Sequence, residues 1–155
     1  MATTLEVRAD ATPECIRPLR EAVASLASEI GMSSVQVEAI KLCVGEAITN
    51  AVRHAYPESE AGPVDVSAQV VGDELVVTVA DGGRWPENQF PHPEDEGGFG
   101  LAFISRLTDG CTFTATSDGT TVEMLFPLRR SKIWATHAEL PTHMRFHDRR
   151  AVRVE

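Results

Sequence analysis

The chain has 155 residues, 43% of them hydrophobic and 24% charged, which fits one globular domain with a core of its own. Its net charge of −9 argues against nucleic acid or an anionic membrane as the main partner, because phosphate contacts need Lys and Arg, whereas a basic partner surface is compatible with it. No apolar run is long enough to span a membrane, no signal peptide is recognisable, and the three separated cysteines form no CxxC zinc pattern. The sequence therefore predicts a reduced, cytoplasmic protein.

The first third of the chain predicts a strand followed by two helices. Residues 3–9 alternate as a strand does. Apolar residues at helical spacing then predict a helix up to Ile30, which either starts near Cys15 or kinks at Pro18. Gly31 suits the C-terminal cap of this helix.

A second helix is predicted from a capping box formed by Ser33 and Gln36. It runs to about Tyr56, where Pro57 stops it. Its apolar stripe consists of Ile40, Val44, Ile48, Ala51 and Ala55.

Two hairpins separated by a long loop make up the rest of the predicted domain. Residues 64–71 and 74–80 alternate and are joined by a glycine-first turn, Gly72-Asp73. Residues 81–100 contain three prolines and five glycines without periodicity and predict a long loop, which a short helix at 101–109 and a second hairpin follow. The order of elements predicts an α+β fold, a two-layer sandwich with helices on one face of a mixed, mostly antiparallel sheet.

The C-terminal residues differ in composition from the rest of the chain. They are basic, hold three of the five histidines and show little apolar periodicity. We therefore predict a globular domain over residues 1–130 and a basic, partly disordered extension over residues 131–155.

A polar stripe on the second helix is the first candidate functional feature. At helical spacing Glu46, Asn50, Arg53 and His54 fall on one side of an otherwise apolar helix. A solvated surface stripe is one interpretation. If the stripe faces a cleft, the Asn50 oxygen suits Mg²⁺ and the Glu46 carboxylate suits a general base.

Two glycine-containing segments are further candidates. Asp81-Gly82-Gly83 follows a strand and is either a tight turn or a ligand-binding strand end. Residues 97–101, "GGFGL", lead into a helix and form either an anion site or a loop hinge. Neither of the two lysines follows a glycine-rich loop, so the chain has no P-loop.

In this order, "GEAITNAVRHAY", "VADGG" and "GGFGL" resemble the N, G1 and G2 boxes of the GHKL ATPases. The first closely resembles the N box of the bacterial anti-sigma-factor serine kinases of sporulation and stress response. The resemblance covers about residues 5–128 and implies a Bergerat-type sandwich that uses ATP and Mg²⁺. It also implies two protein partners, a sigma factor and an anti-sigma-factor antagonist of STAS type that is phosphorylated on serine. A homodimer is left open.

The resemblance assigns roles to individual residues. It implies that Asn50 holds Mg²⁺ and that Glu46 is the general base. Asp81 is expected to accept a hydrogen bond from the adenine amino group, Gly83 to let the ring approach, and Thr120 to lie near Asp81.

Further residues are expected at the phosphates. The resemblance places Gly98, Gly100 and the adjoining Leu101 there, beneath a lid formed by residues 84–97. Arg53, Arg84 and Arg106 are candidates for additional phosphate contacts.

The sequence departs from the family pattern at two places. Trp85 stands where the G1 box has its last glycine, and the acids at 94–96 stand where the sporulation kinases have an arginine. Acids near a triphosphate repel it unless they face solvent or a cation. Two functions therefore stay open: an anti-sigma factor that is also a serine kinase, or a nucleotide-binding protein that sequesters its partner without phosphotransfer.

Overall fold

The computed structural model describes residues 4–56, 60–84, 104, 106–129 and the backbone of 152–154. In chain order its elements are β1 (Thr4–Asp10), a 3-10 turn (Pro13–Cys15), α1 (Ile16–Glu29), α2 (Ser34–Asn50), a π-helical turn (Ala51–Ala55), β2 (Pro63–Val71), β3 (Glu74–Asp81), β4 (Gly110–Thr116), β5 (Gly119–Pro127) and β6 (Val152–Val154).

The start of α1 settles the alternative that Pro18 left open. A 3-10 turn comes first and α1 begins at Ile16, so Pro18 lies in the first turn, where its missing N–H costs no helical hydrogen bond. At the other end Gly31 has φ +86 and the Met32 N–H donates to the Ala27 carbonyl at 3.1 Å. This geometry is a Schellman cap, so the predicted role of Gly31 is confirmed.

The two ends of α2 differ from one another. Its start is confirmed: the Ser33 hydroxyl accepts from the Gln36 N–H at 3.3 Å, and the Gln36 side chain accepts from the Ser33 N–H at 3.0 Å. Its end near Tyr56 is also as predicted, but the α-helix stops at Asn50 and the last helical residues, Ala51–Ala55, form a π-helical turn. At Tyr56 the backbone is extended, with φ −127 and ψ 148.

The strands form one sheet in the order β1-β2-β3-β5-β4-β6. Every pairing is antiparallel except that of β4 with β6, which is parallel. Both predicted hairpins are present, and Gly72 takes the positive φ of 60 that a glycine-first turn requires.

One hydrophobic core joins the helices to one face of the sheet. Alternate residues of the central strands are buried, among them Leu75, Val77 and Val79 of β3. They pack in one cluster with the buried sides of α1 and α2, including every residue of the apolar stripe predicted for α2. The predicted α+β sandwich, with helices on one face of a mixed, mostly antiparallel sheet, is therefore confirmed.

The C-terminal extension contributes β6, whose three residues pair with Phe113–Ala115 of β4. Most of residues 131–155 and most of the predicted lid at 84–97 lie outside the described residues. The domain boundary after residue 130 thus stays a prediction. In the described part of the chain, no helix is both long and apolar enough to cross a membrane.

Candidate functional site

The polar face of α2 carries the two side chains that sequence analysis singled out. Glu46 is exposed and Asn50, one turn later, is half-buried, while Ala47 and Ile48 between them are buried in the core. Arg53 is exposed on the π-helical turn that follows. The helix therefore presents a carboxylate and an amide to one side and uses the other side for packing.

Cys43 lies one turn before Glu46 on the buried side of α2. Burial raises the pKa of its thiol to about 12, and the nearby Cys111 and Glu46 add to this rise. Because the thiolate is the nucleophilic form, Cys43 is inert at neutral pH.

The end of β3 holds the second group of predicted residues. The Gly83 N–H donates to the Asp81 carboxylate oxygen Oδ1 at 3.0 Å, which fixes the carboxylate over the turn. Thr120 of β5 is buried and pairs directly with Asp81 across the two strands. The preceding Gly119 has φ +145, and a Cβ there would overlap the Asp81 carbonyl oxygen.

The π-helical turn that follows α2 and the residues just after β3 are in direct backbone contact. The Arg84 N–H donates to the carbonyl of Ala55, the last residue of the π-helical turn, at 2.9 Å. Gly83 is buried beside it, and a Cβ at this position would overlap the Ala55 backbone. Only glycine lets the two segments approach this closely, so the contact joins the element that carries Asn50 to the element that carries Asp81.

Tyr56 is a further residue of this contact, although no sequence pattern assigned it a role. Its hydroxyl donates to the Pro63 carbonyl at 2.6 Å and accepts from the Gly82 N–H at 2.8 Å. Its ring covers Gly62 so closely that a Cβ on Gly62 would overlap it. The available signal was the chain's one tyrosine, placed where the helix was expected to stop.

The predicted site residues that the structure describes therefore form two sets, and Arg106 belongs to neither. Glu46, Asn50 and Arg53 lie on the last turns of the helix, and Asp81, Gly83, Arg84 and Thr120 lie at the strand end that contacts it. Arg106 is exposed in a helical stretch, and among the described residues no hydrogen bond or ion pair joins it to either set. Gly98, Gly100, Leu101, Trp85 and the acids at 94–96 lie outside the described residues.

No cluster of carboxylate, imidazole and thiol groups marks a metal site among the described residues. Across 4–56, 60–84 and the later described segments, no three His, Cys, Asp or Glu side chains are grouped to hold a metal ion.

Several known proteins are similar to this chain. Residues 9–126 match the histidine kinase-like ATPase domain family. A serine-protein kinase RsbW of Bacillus licheniformis is 33% identical over 85% of this chain and 90% of the relative. The RsbW of Bacillus subtilis (strain 168) is 35% identical over 70% of this chain and 76% of the relative.

A solved structure agrees with these relatives. The crystal structure of RsbU and RsbW domains of a Mycobacterium tuberculosis protein is similar with a TM-score of 0.67 and 25% identity. The similarity covers 84% of this chain, which spans about a third (34%) of that longer protein. The chain belongs to the histidine kinase-like ATPase domain family, within the group of the RsbW serine-protein kinases.

Proposed function

We propose that the protein is an ATP-dependent serine kinase that also acts as an anti-sigma factor. The observation that carries this proposal is the direct contact between the two segments on which the predicted site residues lie. The π-helical end of α2, after Glu46 and Asn50, packs on the strand end that bears Asp81 through the bond from Arg84 to Ala55.

The chemistry of these groups fits an adenine nucleotide. The Asp81 carboxylate is an acceptor held in place by the Gly83 N–H, and it suits the amino group of adenine. Gly82 is exposed and has no side chain, which leaves its backbone open to a flat ring, whereas the missing side chain of Gly83 makes room for Ala55. Thr120, buried opposite Asp81, adds a hydroxyl to the same strand end.

The phosphate side of the site would lie along the polar face of α2. Asn50 offers a neutral oxygen, which suits a Mg²⁺ ion that keeps water and phosphate oxygens as its other ligands. Arg53 and Arg84 are exposed cations on the two contacting segments and would reach phosphate oxygens. Gly98, Gly100 and Leu101 complete the proposed phosphate contacts, by the resemblance alone.

The phosphoryl group would come from ATP, and the acceptor would be a serine hydroxyl of the partner protein. Glu46 is exposed, so it is available to accept the proton of that hydroxyl. Phosphoryl transfer depends mainly on positioning and charge neutralisation, which Asn50 with its Mg²⁺ and the arginines would supply without a P-loop lysine.

The proposed partners come from the group of kinases to which the chain belongs. An anti-sigma factor of this group would hold a sigma factor and would phosphorylate an anti-sigma-factor antagonist of STAS type. The net charge of −9 is compatible with a basic docking surface on either partner.

The experiment uses the full chain with candidate antagonists and Mg²⁺-ATP, and phosphoserine is detected by mass spectrometry. Phosphorylated antagonist, with loss of both transfer and Mg²⁺-dependent ATP binding in Asn50→Ala, is the expected result. Gln69→Ala, which removes an exposed amide on β2, is the matched control and should behave like the wild type. Stable binding of a sigma factor without any transfer would instead support the sequestering function.

A further inference from the structure

Tyr56 lies at the point where three segments of the protein meet. It follows the π-helical turn, and its extended backbone directs the chain away from the helix axis. Its hydroxyl bonds to the start of β2 at Pro63 and to the turn after β3 at Gly82. One hydroxyl therefore joins the end of the helix to both neighbouring strand ends.

The bond to Gly82 has a direct consequence for Asp81. Gly82 is the central residue of the turn in which the Gly83 N–H donates to the Asp81 carboxylate. A hydrogen bond that fixes the Gly82 amide therefore also limits how the Asp81 carboxylate can move. The Tyr56 hydroxyl thus acts on Asp81 through the backbone, without occupying the ligand position itself.

The surroundings of Tyr56 hold its ring in place and keep its hydroxyl protonated. Its ring is half-buried against Gly62, whose carbonyl accepts from the Ala11 N–H at 2.8 Å, so the surface beneath the ring is itself anchored. A phenol is protonated at neutral pH and burial raises its pKa further, so the hydroxyl has a proton to donate to Pro63.

We propose that Tyr56 is a positioning residue of the nucleotide site, holding the Asp81–Gly83 turn in register with the end of α2. The inference rests on the proposed function, because it concerns how the same site recognises adenine. It gives the site a specific property: selectivity for the adenine amino group depends on a hydroxyl that does not touch the ligand.

The test compares ATP with inosine triphosphate, which carries an oxygen in place of the adenine amino group. The wild-type chain, Tyr56→Phe and the control variant Gln36→Leu are titrated with both nucleotides by calorimetry in the presence of Mg²⁺. Tyr56→Phe keeps the ring and loses only the hydroxyl, so the preference for ATP should fall about three- to tenfold, the effect of one ordinary hydrogen bond. In the ligand-free protein the Gly82 amide should exchange faster with deuterium.

Two further variants separate positioning from general destabilisation. Gln36→Leu removes a side-chain bond to the Pro127 carbonyl at the opposite end of α2, so it should lower stability and leave the nucleotide preference unchanged. Gly62→Ala retains the hydroxyl, but its Cβ would overlap the Tyr56 ring, so it should reduce the preference as Tyr56→Phe does.

The outcomes are distinguishable. A wild-type chain that does not prefer ATP would overturn the nucleotide site itself, and the role of Tyr56 with it. A wild-type chain that prefers ATP, with the same preference in folded Tyr56→Phe, would overturn the role of Tyr56 alone. An equal loss of preference in Gln36→Leu would also overturn it, because the effect would then follow stability.

Discussion

The two ends of α2 are anchored in different ways. At the start, Ser33 and Gln36 cap the helix, and the Gln36 side chain also donates to the Pro127 carbonyl of β5 at 2.8 Å. At the end, the backbone becomes extended at Tyr56, and backbone groups of Ala55 contact Gly83 and Arg84 directly. The side chains at the start provide hydrogen bonds for the backbone of the helix and the sheet. The backbone contact at the end brings the segment with Asn50 close to the segment with Asp81.

This difference indicates where stability and function divide along one helix. A capping box uses short-range bonds whose effect is mainly on folding. A π-helical turn is rare, is less regular than the α-helix it extends and is frequent at functional sites. Changes at the start of α2 should therefore lower stability alone, and changes at its end should lower nucleotide affinity as well.

Gly83→Ala should have the largest effect on the end of α2. The new Cβ would overlap the Ala55 backbone, which cannot move aside as a flexible side chain could. We expect a loss of about 3 kcal/mol or more in the free energy of unfolding, together with loss of ATP binding. Urea unfolding and calorimetric titration measure the two.

The control for this change is Gly72→Ala in the hairpin turn. Gly72 also has a positive φ, of 60, but a Cβ there would meet open space. This control should cost only about 1–2 kcal/mol and leave ATP affinity intact. A Gly83→Ala chain as stable as wild type would show that the close approach of the two segments is not required.

Asp81→Asn should weaken ATP binding with little effect on stability. The amide retains an oxygen for the Gly83 N–H but loses the charge that strengthens a bond to the adenine amino group. A hydrogen bond to a charged group contributes about 1.5–3 kcal/mol, so the dissociation constant should rise roughly 10- to 100-fold. Calorimetric titration tests this, and wild-type affinity in the variant would remove Asp81 from the site.

Gln36→Leu should produce the opposite pattern at the start of the helix. The side chain is buried, and its loss leaves the Pro127 carbonyl and the Ser33 N–H without their bonds to it. The free energy of unfolding should fall by about 1–3 kcal/mol, while the dissociation constant for ATP stays within about twofold. A large drop in affinity would contradict the division between the two ends.

Truncation after Arg130 should have the smallest effect. It removes β6, which adds three residues to the edge of the sheet beside β4. We expect a stability change of about 1 kcal/mol or less and unchanged ATP affinity. Thermal unfolding checks the first, and an unfolded truncated chain would show that the extension is part of the domain.

The same comparison explains how much could be predicted from sequence. The start of α2 was predictable because a capping box is a pattern within four residues, and the glycine-first turn at Gly72 is equally local. The sandwich was predictable because the periodicities of strands and helices show which faces are buried.

The end of α2 was not predictable in the same way. The apolar stripe continues through Ala51 and Ala55, so periodicity gives no sign that α-helix becomes π-helix after Asn50. The bonds of Tyr56 to Pro63 and Gly82 depend on where distant strands end, which no local pattern records. The sequence shows the glycine at position 83, but it does not show that the backbone of Ala55 packs against it.

The most direct test of the kinase proposal is Glu46→Gln, measured against Glu38→Gln. Both acids are exposed on α2, and Glu38 forms only a surface ion pair with Lys41, at 3.5 Å, among the ion pairs of the described residues. The glutamine at 46 is nearly isosteric but cannot take a proton from the serine hydroxyl. Transfer of phosphate from ATP to the antagonist should therefore fall about 10²- to 10⁴-fold, with ATP and partner binding retained. Glu38→Gln should transfer at the wild-type rate. Undiminished transfer by Glu46→Gln would contradict the assignment of the base and, with it, the mechanism proposed for this site.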